Sequence, residues 1–391
     1  MRGSDGRRPE DTALITGVGR SAIGRRLRVD PWVLTADAAL AAIADAGLTP
    51  DDIDGVSTYP GAFWSTPGIT GAGVDDVRAM LGLRLRWHTG GGELAGQLGS
   101  IVNAVLAVAA GLATHVLCFR TVWESTAQEG FGSRSATLLG GGGTQGQPVR
   151  FGRELTHWST PFGIGYPCYA AMEMQRRIEL AGASREKFAT LALATRAYAA
   201  RNEAAVYRDP LTLDDYLGAR MISDPICVYD CDVPVDGSVA FVVSNAAAAG
   251  DPGRALRLEA MGSASGFDES AAMMWERTDL KPADVDLAQV YDGFSVYALR
   301  WLEALGFCGR HEALDFIEGG DRIGPTGDLP LNTGGGQLSG GRLHGYGGLL
   351  EACLQLRGEA GAHQLPTARQ LAVVTSGAES FTSSLLVGAP R

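Results

Sequence analysis

Two short patterns each occur twice in this chain, in the same order, and that duplication restricts the possible folds more than any other feature. Leu48-Thr49-Pro50-Asp51-Asp52-Ile53-Asp54 returns as Leu280-Lys281-Pro282-Ala283-Asp284-Val285-Asp286, both of the form L-x-P-x-D-(I/V)-D. Gly90-Gly91-Gly92-Glu93-Leu94-Ala95-Gly96 returns as Gly334-Gly335-Gly336-Gln337-Leu338-Ser339-Gly340, both GGGxLxG. A short strand-like run follows each first pattern, at 55–59 and 287–291. A helical stretch and then an apolar strand follow each second one, the strands at 115–119 and 371–374. Chance likeness between glycine-rich loops has no reason to preserve that order. The pattern predicts two α/β halves of the same design, with strands feeding glycine turns and buried helices. Residues 1–120 form the first half, completed by about 225–250. Residues 121–224 are an insertion, and 251–391 form the second half.

Composition agrees with a large folded core. The chain has 391 residues, 45% hydrophobic and 20% charged, which excludes disorder as its main state. Its 54 glycines show no collagen-like period and point to tight turns and close backbone approaches. A net charge of −11 argues against a broad nucleic-acid surface, and the one basic cluster, Arg25, Arg26 and Arg28, reads as a solvated loop. Six cysteines without a CxxC pair or zinc-ligand spacing read as reduced thiols of a cytoplasmic protein. The polar N-terminus lacks the apolar region of a signal peptide. Residues 98–113 are apolar nearly all round but fall short of the ~20 residues a bilayer needs, so they read as a core helix and not a membrane span. Gly17-Val18-Gly19 follows a strand, yet Ala22 stands where a dinucleotide-binding loop would carry its third glycine, and no acidic residue is well placed beyond it.

Inside the insertion, residues 170–180 and 184–201 are predicted helices, the second starting at Ser184. Gly140-Gly141-Gly142-Gly143 and Thr160-Pro161-Phe162-Gly163 precede them. Insertions of this size usually carry binding or oligomer contacts.

Duplicated α/β halves with a glycine-rich loop leading into a helix in each resemble the thiolase superfamily along nearly the whole chain, and more closely its lipid-transfer-protein branch. The supporting residues are the opening strand at 12–19, Asp230-Cys231-Asp232-Val233-Pro234-Val235-Asp236-Gly237, Leu305-Gly306-Phe307-Cys308-Gly309 and, most specific, Leu329-Pro330-Leu331-Asn332-Thr333-Gly334-Gly335 with Gln337-Leu338-Ser339-Gly340. The resemblance implies a five-layer α/β/α/β/α subunit that dimerises through the sheet edges of its first half.

The departures from that pattern carry the chemistry. A thiolase needs a cysteine thiolate at the start of the buried helix of its first half, and Gly92-Glu93-Leu94-Ala95-Gly96-Gln97 has none. Tyr291-Asp292-Gly293-Phe294 replaces the Asn-Glu-Ala-Phe loop. Gly341-Arg342-Leu343-His344-Gly345 replaces Gly-His-Pro-x-Gly, with Arg342 at the position of the activating histidine. What remains is a pair of tyrosines, Tyr291 and Tyr346, on two loops that in thiolases meet over the acyl-CoA pocket. This resembles the steroid side-chain-cleaving aldolases of the branch.

For such an enzyme the expected reaction is retro-aldol cleavage of a β-hydroxyacyl-CoA to a ring ketone and propionyl-CoA. One of Tyr291 and Tyr346 takes the hydroxyl proton and the other protonates the enolate, with His344 and Arg342 tuning them. Backbone amides of the two glycine loops, at Gly92 and Gly340, would hold the enolate oxygen, and Asp292 would line the site or cap the following helix. This chain itself needs no cofactor, the CoA thioester being the substrate. Its expected partner is a small OB-fold, acyl-CoA-binding protein, a candidate zinc carrier, around a homodimer core within a heterotetramer. Two other functions stay open on the sequence: a noncatalytic lipid or acyl-CoA carrier, and a thiolase-like subunit acting on another acyl-CoA.

Overall fold

A computed structural model describes residues 8–61, 68–91, 96–131, 162, 164–378 and 381–390. The first half contributes β1 (Ala13–Arg20), α1 (Pro31–Asp45), β2 (Gly55–Thr58), α2 (Val74–Leu81), β3 (Trp87–Gly90), α3 (Gly99–Ala109), β4 (His115–Trp123) and α4 (Glu124–Phe131). The insertion supplies α5 (Tyr166–Ala181), α6 (Arg185–Ala199), α7 (Leu213–Leu217) and the short pair β5 (Met221–Ser223) and β6 (Ile226–Cys227), after which β7 (Asp236–Asn245) returns to the first half. The second half holds β8 (Leu256–Ala264), α8 (Phe267–Trp275), β9 (Leu287–Gln289), α9 (Ser295–Ala304), α10 (Ala313–Phe316), α11 (Tyr346–Arg357), β10 (Leu371–Ser376) and β11 (Thr382–Gly388).

The strands run in the order β3-β2-β4-β7-β1-β8-β11-β10-β9. From β1 outward, the first half pairs antiparallel to β7, antiparallel to β4 and parallel to β2; from β8 outward, the second pairs antiparallel to β11, antiparallel to β10 and parallel to β9. The halves thus repeat one design.

The L-x-P-x-D-(I/V)-D motif does the same work in each half. Its first aspartate caps a one-turn helix through the amide three residues back, Asp52 to Thr49 N and Asp284 to Lys281 N, both at 2.8 Å. Its last aspartate receives the two amides that open the neighbouring strand: Asp54 from Thr114 and His115, Asp286 from Gln370 and Leu371. Sequence recurrence is therefore recurrence of a strand-positioning device.

Alternation along the strands sets the layers. Val116, Cys118, Val239, Phe241, Ala372, Val374, Leu385 and Val387 face a shared central core with α3 and α11. Leu117, Phe119, Ala240 and Val242 face α1 and α2 on one outside, and Leu371, Val373 and Leu386 face α8 and α9 on the other. The result is helix, sheet, helix, sheet, helix. The apolar stretch at 98–113 contains α3, which buries most of its residues but leaves Leu106 and Ala109 exposed on one face, and among the described residues no helix is long and apolar enough to cross a membrane.

In the insertion, the expected helices appear as α5 and α6, with Ser184 at the start of α6 and Gly182, at φ +60°, closing α5. Gly140, Gly141, Gly142, Gly143, Thr160, Pro161 and Gly163 lie outside the described residues. The helix α6 packs on the second glycine loop: Arg196 Nε donates to Ser339 Oγ (2.9 Å) and Asn202 Nδ2 to the Gly334 carbonyl (2.9 Å). At Gly335, with φ +100°, a Cβ would stand 2.7 Å from the Ala199 Cβ, so only glycine lets the loop and helix meet.

Candidate active site

The second glycine loop, Gly336–Gly340, makes one wide helical turn whose first amides are organised by Asp292. Asp292 Oδ1 accepts from Gln337 N at 2.8 Å. A Cβ on Gly336 would fall 2.0 Å from Asp292 Oδ2, which makes glycine obligatory there. Asp292 therefore caps this turn and not α9, the helix that follows it in sequence, which starts behind Phe294 without a side-chain cap. Burial drives its carboxyl up to about 6, against the amides of Gln337 and Leu338 and the Asn332 side chain, which favour the charge.

Tyr291 leaves the end of β9 with its amide bonded to Thr375 Oγ1 (2.9 Å). Its ring folds back over Gly293, where a Cβ would come within 2.7 Å of it. The side chain is half-buried. Burial, with Asp232, raises its hydroxyl well above the usual tyrosine range, and Arg342 opposes this.

Between these two loops runs the segment 231–233. Asp232 N donates to the Gly293 carbonyl (3.1 Å), Val233 N to the Gln337 carbonyl (3.0 Å), and Arg342 N to the Val233 carbonyl (2.8 Å). Asp230 anchors the segment, taking the Tyr216 hydroxyl, the Ser295 hydroxyl (2.7 Å) and the Cys227 amide while fully buried.

Arg342 is clamped by two carboxylates, Asp232 at 3.0 Å and Glu124 in a still closer contact. Burial works against its charge, and Asp232 and Glu124 outweigh burial, so its pKa is raised. Burial also lifts the Asp232 carboxyl to about 7, Arg342 opposing and Glu124 adding to it. Glu124 opens α4 directly behind β4. Three separate parts of the chain thus converge on one cation.

His344, at φ +52°, is fixed by its amide on Gln337 Oε1 (3.0 Å) and by Arg120 Nη2, 3.2 Å from its Nδ1. A guanidinium only donates, so Nδ1 accepts and the ring proton sits on Nε2, which faces Glu124 Oε1 at 3.7 Å. Burial, Arg120 and Arg342 all push its pKa well below 6.5, so the imidazole is neutral. Arg120 itself is buried in β4 and also holds the Tyr59 and Ile69 carbonyls.

The expected sites fall into two places. Tyr291, Asp292, Arg342 and His344 belong to one cluster. Tyr346 lies deeper, off the cavity wall: its side chain is 1% exposed, its hydroxyl pairs with Ser100 Oγ at 2.5 Å, and its ring packs on Phe241 in the central core, while Arg120, the residue that holds His344, acts on it electrostatically. The two tyrosines see different neighbours because Tyr346 opens α11 pointing inward, whereas Tyr291 ends an edge strand. The Gly340 amide, expected to hold an oxyanion, already donates to the Gly335 carbonyl (3.1 Å). Gly92 lies outside the described residues, as does Glu93.

A cavity of about 320 Å³ adjoins the cluster, with Tyr291, Asp292, Asn332, Gln337 and Gly341 on its wall. Three of its buried polar atoms, Asp292 Oδ2, Asn332 Nδ2 and Gln337 Nε2, have no aligned hydrogen-bond partner among the described residues. Because the Asn332 side chain lies close enough to Asp292 to favour its charge, Gln337 Nε2 is the amide donor of the three left for a ligand. Among the described residues no cysteine is on that wall. Burial raises the thiols of Cys118 and Cys231 above their ordinary range, Cys308 and Cys353 to about 12 and Cys227 to about 11. Among the described residues no group of three or more His, Cys, Asp or Glu could hold a metal ion.

The sequence reading missed Arg120, Glu124, Asn332 and Gln337 as site residues. An arginine inside the apolar strand His115-Val116-Leu117-Cys118-Phe119-Arg120 was a signal that something buried needs a donor.

A duplicated five-layer subunit with its cluster at the helix-leading glycine loop defines a protein of the thiolase-fold class. Residues 255–387 match the family model described as Thiolase C-terminal domain-like. The chain is 32% identical to a 17-hydroxy-3-oxo-4-pregnene-20-carboxyl-CoA lyase of Mycobacterium tuberculosis, across 96% of this chain and 99% of that one. It is 33% identical to a steroid side-chain-cleaving aldolase of Thermomonospora curvata, across 97% and 98%. A solved structure described as an Ltp2-ChsH2(DUF35) aldolase superposes with a TM-score of 0.83 at 30% identity, covering 97% of this chain and 98% of its own. The chain belongs to the thiolase-like family of steroid side-chain-cleaving aldolases, a family of lyases.

Proposed function

We propose that this chain is the catalytic subunit of an aldolase that splits a β-hydroxyacyl-CoA bearing a degraded steroid side chain into a ring ketone and propionyl-CoA. The observation that carries the reading is one cavity wall bearing a carboxyl that ionises at about 6, Asp292, and a phenol that stays protonated, Tyr291, with no cysteine on that wall among the described residues. Groups whose environments push them toward opposite roles are what an acid–base lyase requires.

In this reading Asp292 Oδ2 takes the proton of the β-hydroxyl. The electron pair of that O–H bond forms the ketone, the bond between the α and β carbons breaks, and its pair passes into the thioester enolate. The open amide donor of Gln337 receives the enolate oxygen. Tyr291 gives its proton to the α carbon, and the fixed Arg342 cation stabilises the phenolate that results. Neutral His344 holds Gln337 through its amide and presents Nε2–H toward Glu124, which keeps the Arg342 clamp in register. Tyr346 braces the two central helices from behind.

The name of the Mycobacterium tuberculosis relative supports the substrate class: a hydroxyl and a carboxyl-CoA on adjoining carbons are the β-hydroxy thioester that such chemistry cleaves. The two-component title of the solved neighbour supports a partner, here a small OB-fold acyl-CoA-binding protein on a homodimer of this chain, giving a heterotetramer in which any zinc belongs to the partner. Free thiols support a cytoplasmic setting.

The test is turnover. The purified chain with its OB-fold partner is incubated with β-hydroxyacyl-CoAs carrying steroid, aryl and alkyl groups, and products are read by mass spectrometry. A steroid ketone and propionyl-CoA in equal amounts are expected. Acyl-CoA that stays bound and intact across the panel would make the chain a carrier and defeat the reading.

A further inference from the structure

The cavity that begins at Tyr291 and Asp292 does not end there. It follows one side of α11 from Gly345 to Leu354, roughly 14 Å at 1.5 Å per residue, and closes at Glu351, His363 and the 359–362 turn. That far end carries a buried acid–base pair. His363 Nε2 lies 2.9 Å from Glu351 Oε2, and the other oxygen, Oε1, accepts the Thr333 hydroxyl at 2.6 Å and Gln355 Nε2 at 2.9 Å. Thr333 in turn accepts from Gln289 Nε2 (2.8 Å), two residues before Tyr291, and adjoins Asn332. Glu351 is 7% and His363 9% exposed, while Gly361 and Ala362 beside His363 are open to solvent. A buried carboxylate needs its partners, but a purely structural pair has no need of a cavity wall shared with a reaction site.

We propose that the Glu351–His363 pair is a proton relay, passing protons between solvent and the Tyr291–Asp292 end of the site through the cavity along α11. This rests on the acid–base roles proposed above. After each cleavage Asp292 holds the proton taken from the hydroxyl, and Tyr291 lacks the one given to the α carbon. The Asp292 proton passes along water in the cavity, whose volume is ample for a short file of molecules, to the Glu351 carboxylate, on to the imidazole and out to solvent. A solvent proton returns by the same route to the Tyr291 phenolate, so no net proton is consumed. Histidine suits the outer post because its two ring nitrogens let it take a proton on one side and release it on the other.

The test uses the complete chain and separates this relay from the lyase assignment. Propionyl-CoA alone is incubated with the protein and partner in D₂O, and deuterium entering its α carbon is followed by mass spectrometry; no steroid is needed. The wild-type protein is expected to catalyse exchange. His363→Gln, which keeps a donor for Glu351 but cannot carry a proton, and His363→Ala should each slow exchange at least about fivefold, and imidazole should restore the His363→Ala rate in proportion to its concentration. Folding of each variant is checked by thermal unfolding. No exchange in the wild type, an unchanged rate in His363→Gln, or slow exchange in folded His363→Ala that imidazole does not restore would each overturn the relay. Exchange without cleavage of any steroid substrate would leave the relay standing and remove the lyase assignment.

Discussion

The Tyr346 hydroxyl lies 2.5 Å from the Ser100 hydroxyl, joining the first turn of α11 to the first turn of α3 at the centre of the molecule. Ser100 also donates to the Gln97 carbonyl, and its own carbonyl receives Ser57 Oγ, so the pair links both glycine-loop helices to β2. In the mechanism proposed above this hydroxyl braces the helices and transfers no proton. Tyr346→Phe is expected to cost about 1–2 kcal/mol of stability, the price of one buried hydrogen bond with a partner left short, and to lower turnover by less than about tenfold. Urea unfolding and kcat on the same preparation check this. Loss of activity at unchanged stability would put Tyr346 back among the proton-transfer groups.

Tyr291→Phe and Asp292→Asn should behave differently. Each removes a proton-transfer group from the cavity wall and is expected to lower kcat by ~10²–10⁴ with little change in KM. Tyr291→Phe leaves no buried partner unpaired, because the Thr375 bond is to the backbone amide. Steady-state kinetics with a saturating partner separate the two constants.

Asp292 also fixes a pH signature. Aspartate in an unfolded chain titrates near about 3.9, and in the fold burial raises Asp292 to about 6 and Asp232 to about 7. Between those values the native state keeps protons that the unfolded chain has lost, so the stability these groups contribute is full below about pH 4 and drains away as pH rises through 6 and 7. Asp292→Asn, which cannot ionise, should gain stability relative to wild type as pH goes from about 4.5 to about 7.5, measured by urea midpoints. Activity should run the other way. The kcat/KM of the wild type should rise with pH through a limb near about 6, as ionised Asp292 accumulates.

Arg342→Leu leaves Asp232 and Glu124 facing each other without their cation. Breaking such a buried pair costs about 3–5 kcal/mol, so the variant should unfold at a clearly lower temperature, and Arg342→Lys should recover only part of that, since one ammonium replaces a fork that meets two carboxylates. Differential scanning calorimetry reads both.

Much of the fold was legible because duplication is written in short motifs with fixed mechanical roles. Asp54 and Asp286 each tie two strand-opening amides, so their recurrence carried the topology with it. Tyr291, Asp292, Arg342 and His344 could be read because they replace residues at motif positions. Glu124 and Asp232 could not, because their meeting depends on α4 and the 231–233 segment closing on Arg342, a tertiary fact with no local pattern, whereas Arg120 left one local trace, a charge inside an apolar strand. Two details went against local expectation for similar reasons. Asp292 caps a turn about 45 residues downstream rather than the helix beside it, and the flanking glycines of Tyr346 admit the neighbouring backbone, with Gly345 lying against Ser376, while the ring itself turns into the core.

Cleavage here is assigned to Asp292 and Tyr291 without an acyl-enzyme, and the intact mass of the chain during turnover decides it. Samples acid-quenched from the first turnover onward, with a cleavable β-hydroxyacyl-CoA and the partner present, should show the unmodified mass throughout while ketone and propionyl-CoA accumulate one to one. A species heavier by a propionyl or steroid acyl group, located by peptide mapping to any cysteine, would contradict it.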